Sequence, residues 1–320
     1  MINQTPAFDV ISLGILVADT FAKPIRRFPA WGTLELIDYV DMQPGGCAVN
    51  TATDLVRLGF RAGVIGNVGE DGLGDFVLRV VASRGVDVRG VRRDPKVGTS
   101  FTFVMIAPDG ERAFFHYVGA NGTLTREAVD MDCITRARIL DIGGTFVMPG
   151  IDGEPTAEIL RRAQAMGVTT TLDTVWNSEI DQYATIKPAL PHLDYFLPSL
   201  GEAQLIAKRE SPADIAQFFL DHGVKTVGLK MGLDGCYIRN RKVEIKIPAY
   251  QVETVDNTGA GDAWRAGFLA GILQGWDLER IGHFANAVGA LCVTAIGCTA
   301  GIKSLSETLA FMETAKPRRA

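Results

Sequence analysis

The chain has 320 residues, 47% hydrophobic and 22% charged, a balance that supports a large buried core and excludes a disordered chain. Its net charge of −5 excludes a general nucleic-acid or anionic-membrane surface, although backbone N–H groups can still hold phosphate. Five scattered cysteines without a C-x-x-C pair (Cys47, Cys133, Cys236, Cys292, Cys298) exclude a secreted disulfide scaffold and a cysteine zinc site.

The opening Met1–Ile11 contains Asp9 and no basic region, so no signal peptide is expected and the location read from it is cytoplasmic. Val10–Leu16 reads as the first strand, and Leu34–Asp41 as an isolated one. Ala48–Leu58 follows as a helix, then strand Ala62–Gly66 and helix Gly74–Ser83. Thr99–Ala107 and Arg112–Val118 are strand-like runs joined by Pro108-Asp109-Gly110, good turn chemistry. Phe101, Phe103, Val104, Met105, Ile106, Phe114 and Phe115 make this pair apolar on both faces, one to close over a ligand and one to meet a second subunit.

Strands Ile139–Gly143, Thr169–Leu172, Tyr195–Leu197 and Thr226–Leu229 then alternate with helices Thr156–Met166 and Pro212–Asp221, the latter capped by Ser211. The last third is helical. Ala285–Ile302 is uncharged over 18 residues but rich in Ala, Gly and Thr, and reads as a buried helix running into a glycine-rich loop, with no membrane span expected. The tail from Lys316 is expected to fray. Alternating strands and helices predict a mostly parallel sheet with helices on both faces, and the interrupting strands a small sheet standing off it.

The strongest chemical signal is Asp256-Asn257-Thr258-Gly259-Ala260-Gly261-Asp262, followed by the helix-forming run Ala263–Leu273. Bare backbone at a helix N-terminus favours an anion, and a carboxylate beside it can take a proton from an attacking alcohol. The same dipole favours ionised Asp262. A plain glycine turn with Asp262 as a cap satisfies the pattern equally well.

Asn257–Asp262 resembles the C-terminal signature of the ribokinase-like (PfkB) carbohydrate kinases. Gly45-Gly46-Cys47-Ala48-Val49-Asn50-Thr51-Ala52, closing with Arg57-Leu58-Gly59, is similar to that family's N-terminal signature, and Gly66–Gly74 to the segment after it. The resemblance implies a three-layer αβα sandwich with a small β-lid, divided as 1–16, 44–97 and 120–320 for the core and 17–43 and 98–119 for the lid. It implies ATP-dependent phosphorylation of a sugar hydroxyl, with Asp262 as base and Gly259, Ala260 and Gly261 as anion hole. Asp19, Gly45, Gly46 and Asn50 would bind the sugar.

On the nucleotide side, Pro198-Ser199-Leu200-Gly201-Glu202 resembles a family motif in which Glu202 holds Mg²⁺ through water, but Ser199 replaces the usual Asn. Lys230, Gly232 and Gly235 occupy a nucleotide-binding turn, and Asn286 a position near adenine. The resemblance also implies a monovalent cation such as K⁺ at Asp256 and Thr258, with carbonyls near Ala295 and Gly297; the apolar outer face of the lid strands suggests a homodimer joined through the lid. Cys47 stands where several sugar-specific members carry a polar group, which argues against simply assigning ribose.

Rival readings fare less well. The chain has no G-x-G-x-x-G for a nicotinamide cofactor, since Val77 ends the spacing begun by Gly72 and Gly74, and no Walker A, since Gly-Lys never occurs. The four histidines are too widely spaced for a metal motif. A nucleoside kinase is the alternative within the same chemistry, with Phe101, Phe103 and His116 as lid residues that bear on the choice, and a non-catalytic sugar or nucleotide sensor is the minor one.

Overall fold

In the computed structural model, which describes residues 6–318, β1 (Phe8–Gly14) turns Val10 toward one core and Ile11 and Leu13 toward another. Such alternation is required of a strand covered on both faces. Met1–Thr5, the first part of the segment read for a leader, and Arg319-Ala320 of the tail lie outside the described residues. The chain continues through β2 (Val17–Lys23), β3 (Tyr39–Gly45), α1 (Cys47–Arg57), β4 (Ala62–Gly69), α2 (Gly72–Ser83), β5 (Asp87–Asp94), β6 (Phe101–Ile106) and β7 (Arg112–Tyr117). Then come α3 (Met131–Thr135), β8 (Ala137–Thr145), α4 (Glu154–Ala165), β9 (Thr169–Thr174), α5 (Gln182–Ile186), β10 (Tyr195–Phe196), α6 (Leu200–Ala207) and α7 (Pro212–Asp221). The last elements are β11 (Thr226–Lys230), β12 (Cys236–Asn240), β13 (Glu244–Ile247), α8 (Ala260–Leu273), α9 (Leu278–Cys292) and α10 (Leu305–Thr314).

The large sheet runs β13-β12-β11-β10-β9-β8-β1-β4-β5, parallel from β11 to β5 and antiparallel at β12 and β13. One core packs α4, α6 and α7 on one face, and the other packs α1, α2, α8 and α9 on the opposite face. The result is the expected three-layer α/β fold. Strand order reverses at β1, so a crevice opens beyond the carboxyl ends of β1, β8 and β9, the usual ligand position in such sheets.

A separate sheet, β3-β2-β6-β7, stands over this crevice. Its register places Gln43, Asp19, Thr102 and His116 in one row on one face, with Arg112 on that face four residues from His116. Phe101 and Phe103 lie on the opposite face, so of the three lid residues weighed for selectivity only His116 shares a face with Asp19.

Three local expectations change. The isolated strand read at Leu34–Asp41 begins only at Tyr39 and extends to Gly45, because pairing with β2 runs from Lys23↔Tyr39 to Val17↔Gly45 and leaves Leu34 and Leu36 exposed. The edge strand β5 and the hairpin β12–β13 carry too many charges to stand out as apolar runs, and edge charge of that kind discourages pairing with another chain. The tail does not fray at Lys316: the Gln251 N–H donates to Lys316 O at 2.8 Å and the Arg318 N–H to Ala249 O at 2.7 Å. Within Ala285–Ile302, α9 ends at Cys292 and turns follow, and among the described residues no helix is long and apolar enough to cross a membrane.

Candidate active site

Two glycine-initiated helices meet at the crevice. α1 starts from Gly46 and α8 from Gly259, and no side chain caps either one, so their first N–H groups stay open to an anion. Gly259 has φ 80°, and a Cβ there would lie 2.7 Å from Cys298 Cα, so the turn requires glycine. Asn50, one turn into α1, donates its Nδ2 to Asp262 Oδ2 at 2.9 Å. The two sequence signatures therefore join at a single hydrogen bond.

Arg265, one turn beyond Asp262, was not singled out from the sequence. It is wholly buried, at 0% exposure. Its Nη2 donates to Asp262 Oδ1 at 3.2 Å, to Cys47 O at 2.8 Å and to Thr51 Oγ1 at 2.6 Å. Its Nη1 lies 3.2 Å from Asp173 Oδ2 and its Nε 3.6 Å from Asp141 Oδ2. One guanidinium thus answers three carboxylates drawn from β8, β9 and α8. The available signal was a lone charge in the otherwise apolar run Ala263–Leu273.

Burial pushes the Asp262 carboxyl above the usual carboxylate range, against the pull of Arg265 and the Asn50 bond, with Asp173 adding to the rise and Lys230 opposing it. Burial would lower Arg265, but Asp141, Asp173 and Asp262 raise it, so it stays charged.

On the small sheet, Asp19 of β2 sits against Gly45 of β3. A Cβ on Gly45 would lie 1.8 Å from Asp19 Oδ2, so any side chain there would evict the carboxylate. Burial pushes Asp19 up to about 6, a Thr102 hydrogen bond lowers it, and Asp262 raises it further. Thr102 Oγ1 is 3.1 Å from His116 Nδ1. Asp19, Gly45, Gly46, Asn50 and Asp262 are thus brought to one end of the crevice.

At the other end a cavity of about 480 Å³ is lined by Lys230, Gly232, Gly235 and Asn286 together with Ala260 and Gly261. That volume suits a small ligand. Lys230 Nζ bonds Asp173 Oδ2 at 2.5 Å and would stand 3.5 Å from a Cβ on Gly261, so a positive charge adjoins the start of α8. Asn286, expected near adenine, lines this cavity with its amide already bonded to the protein. Its Oδ1 accepts from Trp264 Nε1 at 2.9 Å, and its Nδ2 donates to Ile247 O and Pro248 O at 3.1 and 3.0 Å. The amide ties the cavity wall together through Trp264 and the Ile247–Pro248 backbone. Arg318, in the tied-down tail, also lines the cavity.

Ser199 caps α6 in a reciprocal box with Glu202, whose Oε2 accepts from the Ser199 N–H at 3.0 Å, from Ser199 Oγ at 2.6 Å and from Thr174 Oγ1 at 3.2 Å. Burial raises Glu202, and Asp173 raises it further. Its Oε1 takes part in none of these bonds. A single carboxylate with a neighbour, rather than a closed cage, fits Mg²⁺ held through water and phosphate oxygens. Among the described residues no group of three or more acidic, His or Cys side chains could grip a metal directly.

Asp256 and Thr258, the residues expected at a monovalent cation, already face a positive charge from the protein. Asp256 Oδ1 accepts from the Thr258 N–H at 2.7 Å and lies 2.7 Å from Arg112 Nη1, while Oδ2 accepts from the Gly297 N–H at 2.9 Å. Its lone pairs already face N–H groups.

Residues 8–305 match the family described as pfkB family carbohydrate kinase. Over 311 residues the chain is 29% identical to 2-dehydro-3-deoxygluconokinase of Bacillus subtilis, covering 93% of this chain and 95% of that protein. It is 27% identical to 5-dehydro-2-deoxygluconokinase of Clostridium perfringens, covering 98% and 95%. Among solved structures, a provisionally named ribokinase II of E. coli in complex with ATP and Mg²⁺ superposes with a TM-score of 0.85 at 27% identity, over 96% of this chain and 99% of that one.

Proposed function

The chain belongs to the pfkB family of carbohydrate kinases, and from that premise we propose that Asp262 is the base for transfer of the ATP γ-phosphoryl group to a hydroxyl of a small sugar-like substrate. The observation that carries this reading is the Asn50–Asp262 bond at the uncapped start of α8. A carboxylate held between a polar pocket and an open helix N-terminus can accept the alcohol proton while the N–H groups hold the phosphoryl oxygens. Gly259, Ala260 and Gly261 form that anion hole.

Asp19 and Asn50 bind the sugar hydroxyls, and Gly45 and Gly46 leave room for the polyol. Lys230 draws the phosphates toward Gly261, Gly232 and Gly235 line the nucleotide cavity, and Asn286 supports its wall through Trp264. Mg²⁺, held by Glu202 through water when bound, neutralises phosphate charge. Ser199 serves Glu202 as its cap partner. Burial raises Asp262, which strengthens its ionised form as a base, and Arg265 opposes that rise.

The small sheet acts as a lid, because Asp19 and Arg112 reach the crevice from it. Exposed Tyr117, Val40, Met42, Phe115 and Trp31 favour a homodimer through that sheet, and a monomer by sedimentation would count against it. ATP as donor and five unpaired cysteines favour a cytoplasmic setting.

ADP release across pentoses, ketohexoses, ketodeoxy acids and nucleosides tests the reading. Turnover on a sugar or sugar acid supports it, turnover confined to nucleosides would move the substrate class, and ligand binding without ADP would mark a sensor.

A further inference from the structure

Arg112 opens β7 and reaches from the small sheet to the loop that precedes α8. The guanidinium is nearly buried, its side chain 15% exposed, and Asp256 beneath it is 2% exposed. Nη1 lies 2.7 Å from Asp256 Oδ1 and 3.2 Å from Asn257 Oδ1, and it also donates to Thr258 Oγ1. Three side-chain oxygens from three consecutive residues therefore converge on one positive centre. That donor set, hard oxygens around a point of positive charge, is what a bound cation would ask for. Here a side chain supplies the charge.

Thr258 leads directly into Gly259, the first turn of α8 and the proposed anion hole, so the position of the loop sets the position of the hole. The Asp256 carboxylate is fixed on both oxygens, and Gly297, across from it, abuts Gln43 of the small sheet. Without a counter-charge, a buried carboxylate would stand next to the phosphate site and disfavour the ligand's own negative charge.

We propose that Arg112 is a tethered cation that stands in for a free monovalent ion: it neutralises Asp256, braces residues 256–258 in front of the anion hole, and leaves the native chain with no use for K⁺. The guanidinium comes from the lid sheet, so it also couples the lid to the loop. The anion-hole part of this inference rests on the kinase reading above; the ion-replacement part does not.

The test compares the native chain, Arg112→Met and Arg112→Lys in potassium, sodium and choline chloride at equal ionic strength, by thermal melting and by phosphoryl transfer. The native midpoint and rate should be the same in all three salts. Arg112→Met should melt higher in potassium than in choline, because an ion that binds only the folded state stabilises it by mass action. Its turnover in choline should fall by about tenfold or more and recover in part with potassium. Arg112→Lys, which keeps the charge, should remain indifferent to the salt and carries the comparison if the Met variant does not fold. A native midpoint or rate raised by potassium would overturn the proposal, and so would an Arg112→Met variant that matches the native chain in every salt. The melting comparison stands even if no kinase substrate is found.

Discussion

Asn50 and Asp262, 212 residues apart in sequence, share a hydrogen bond of 2.9 Å from Nδ2 to Oδ2. It ties the helix that begins at the first glycine pair to the helix that begins at the second. The sugar-side and phosphate-side halves of the crevice are therefore registered to each other through the proposed base.

Replacing Asp262 by Asn removes the proton acceptor while keeping the shape. The expected result is a fall in kcat of about 10²–10⁴, with ATP affinity nearly unchanged. Steady-state kinetics with isothermal titration of nucleotide checks it. Full activity in Asp262→Asn would end the proposed mechanism.

Arg265 faces Asp141, Asp173 and Asp262 at distances of 3.6, 3.2 and 3.2 Å. Arg265→Met leaves buried carboxylates without their cation, a loss of about 3–5 kcal/mol in unfolding free energy. Because Arg265 pulls Asp262 down against burial, its removal should move the acid limb of kcat toward higher pH. Arg265→Lys should restore part of that shift. A limb that stays in place would reduce Arg265 to a packing role.

Asp19 is pushed up to about 6 by burial, a Thr102 bond pulling it down and Asp262 raising it. Below that pH it is protonated and loses one of its acceptor oxygens for substrate hydroxyls. The KM for the sugar should rise as pH falls through about 6, while the KM for ATP stays flat. Asp19→Asn should bind the sugar weakly at every pH and show no such step.

Asp54 of α1 is 0% exposed, and neither carboxylate oxygen has a hydrogen-bond partner among the described residues. Burial holds it well above the ordinary carboxylate value, Asp262 adds to the rise, and Arg57 and Arg84 oppose it. At low pH both folded and unfolded chains carry the neutral acid. As pH rises the unfolded chain releases its proton first, so stability falls with pH until folded Asp54 also ionises. Asp54→Asn should therefore match the native chain near pH 4 and exceed it by roughly 1–3 kcal/mol at pH 8, read from denaturant melts at both pH values. A constant difference across pH would show that Asp54 is not the titrating group.

The two glycine-rich starts, Gly45-Gly46 and Gly259–Gly261, were legible in the sequence because bare backbone at a helix start is a local property. So were the alternating strands and helices, since the apolar period is set within each element. The exposed pair Leu34 and Leu36 misled for the opposite reason: apolar residues mark a strand only when a partner is there to receive them. The bonds that Asn286 makes to Trp264, Ile247 and Pro248 were not legible, because a position in a motif does not say which neighbours already use its amide.

The residues alone pointed to the α/β fold class and to an anion site at Gly259–Asp262, whereas the kinase chemistry and the roles of Asp19 and Asn50 came from the resemblance of two local motifs to the pfkB family. Tertiary structure alone decided that Arg265 would meet carboxylates from β8, β9 and α8, that Arg112 would cross from the small sheet to Asp256, and that Thr102 and His116 would share the face of Asp19. The difference is one of range. Helix starts and strand periods depend on neighbours a few residues away, whereas the meaning of a buried charge depends on which opposite charge the fold brings within about 3 Å, from any distance along the chain.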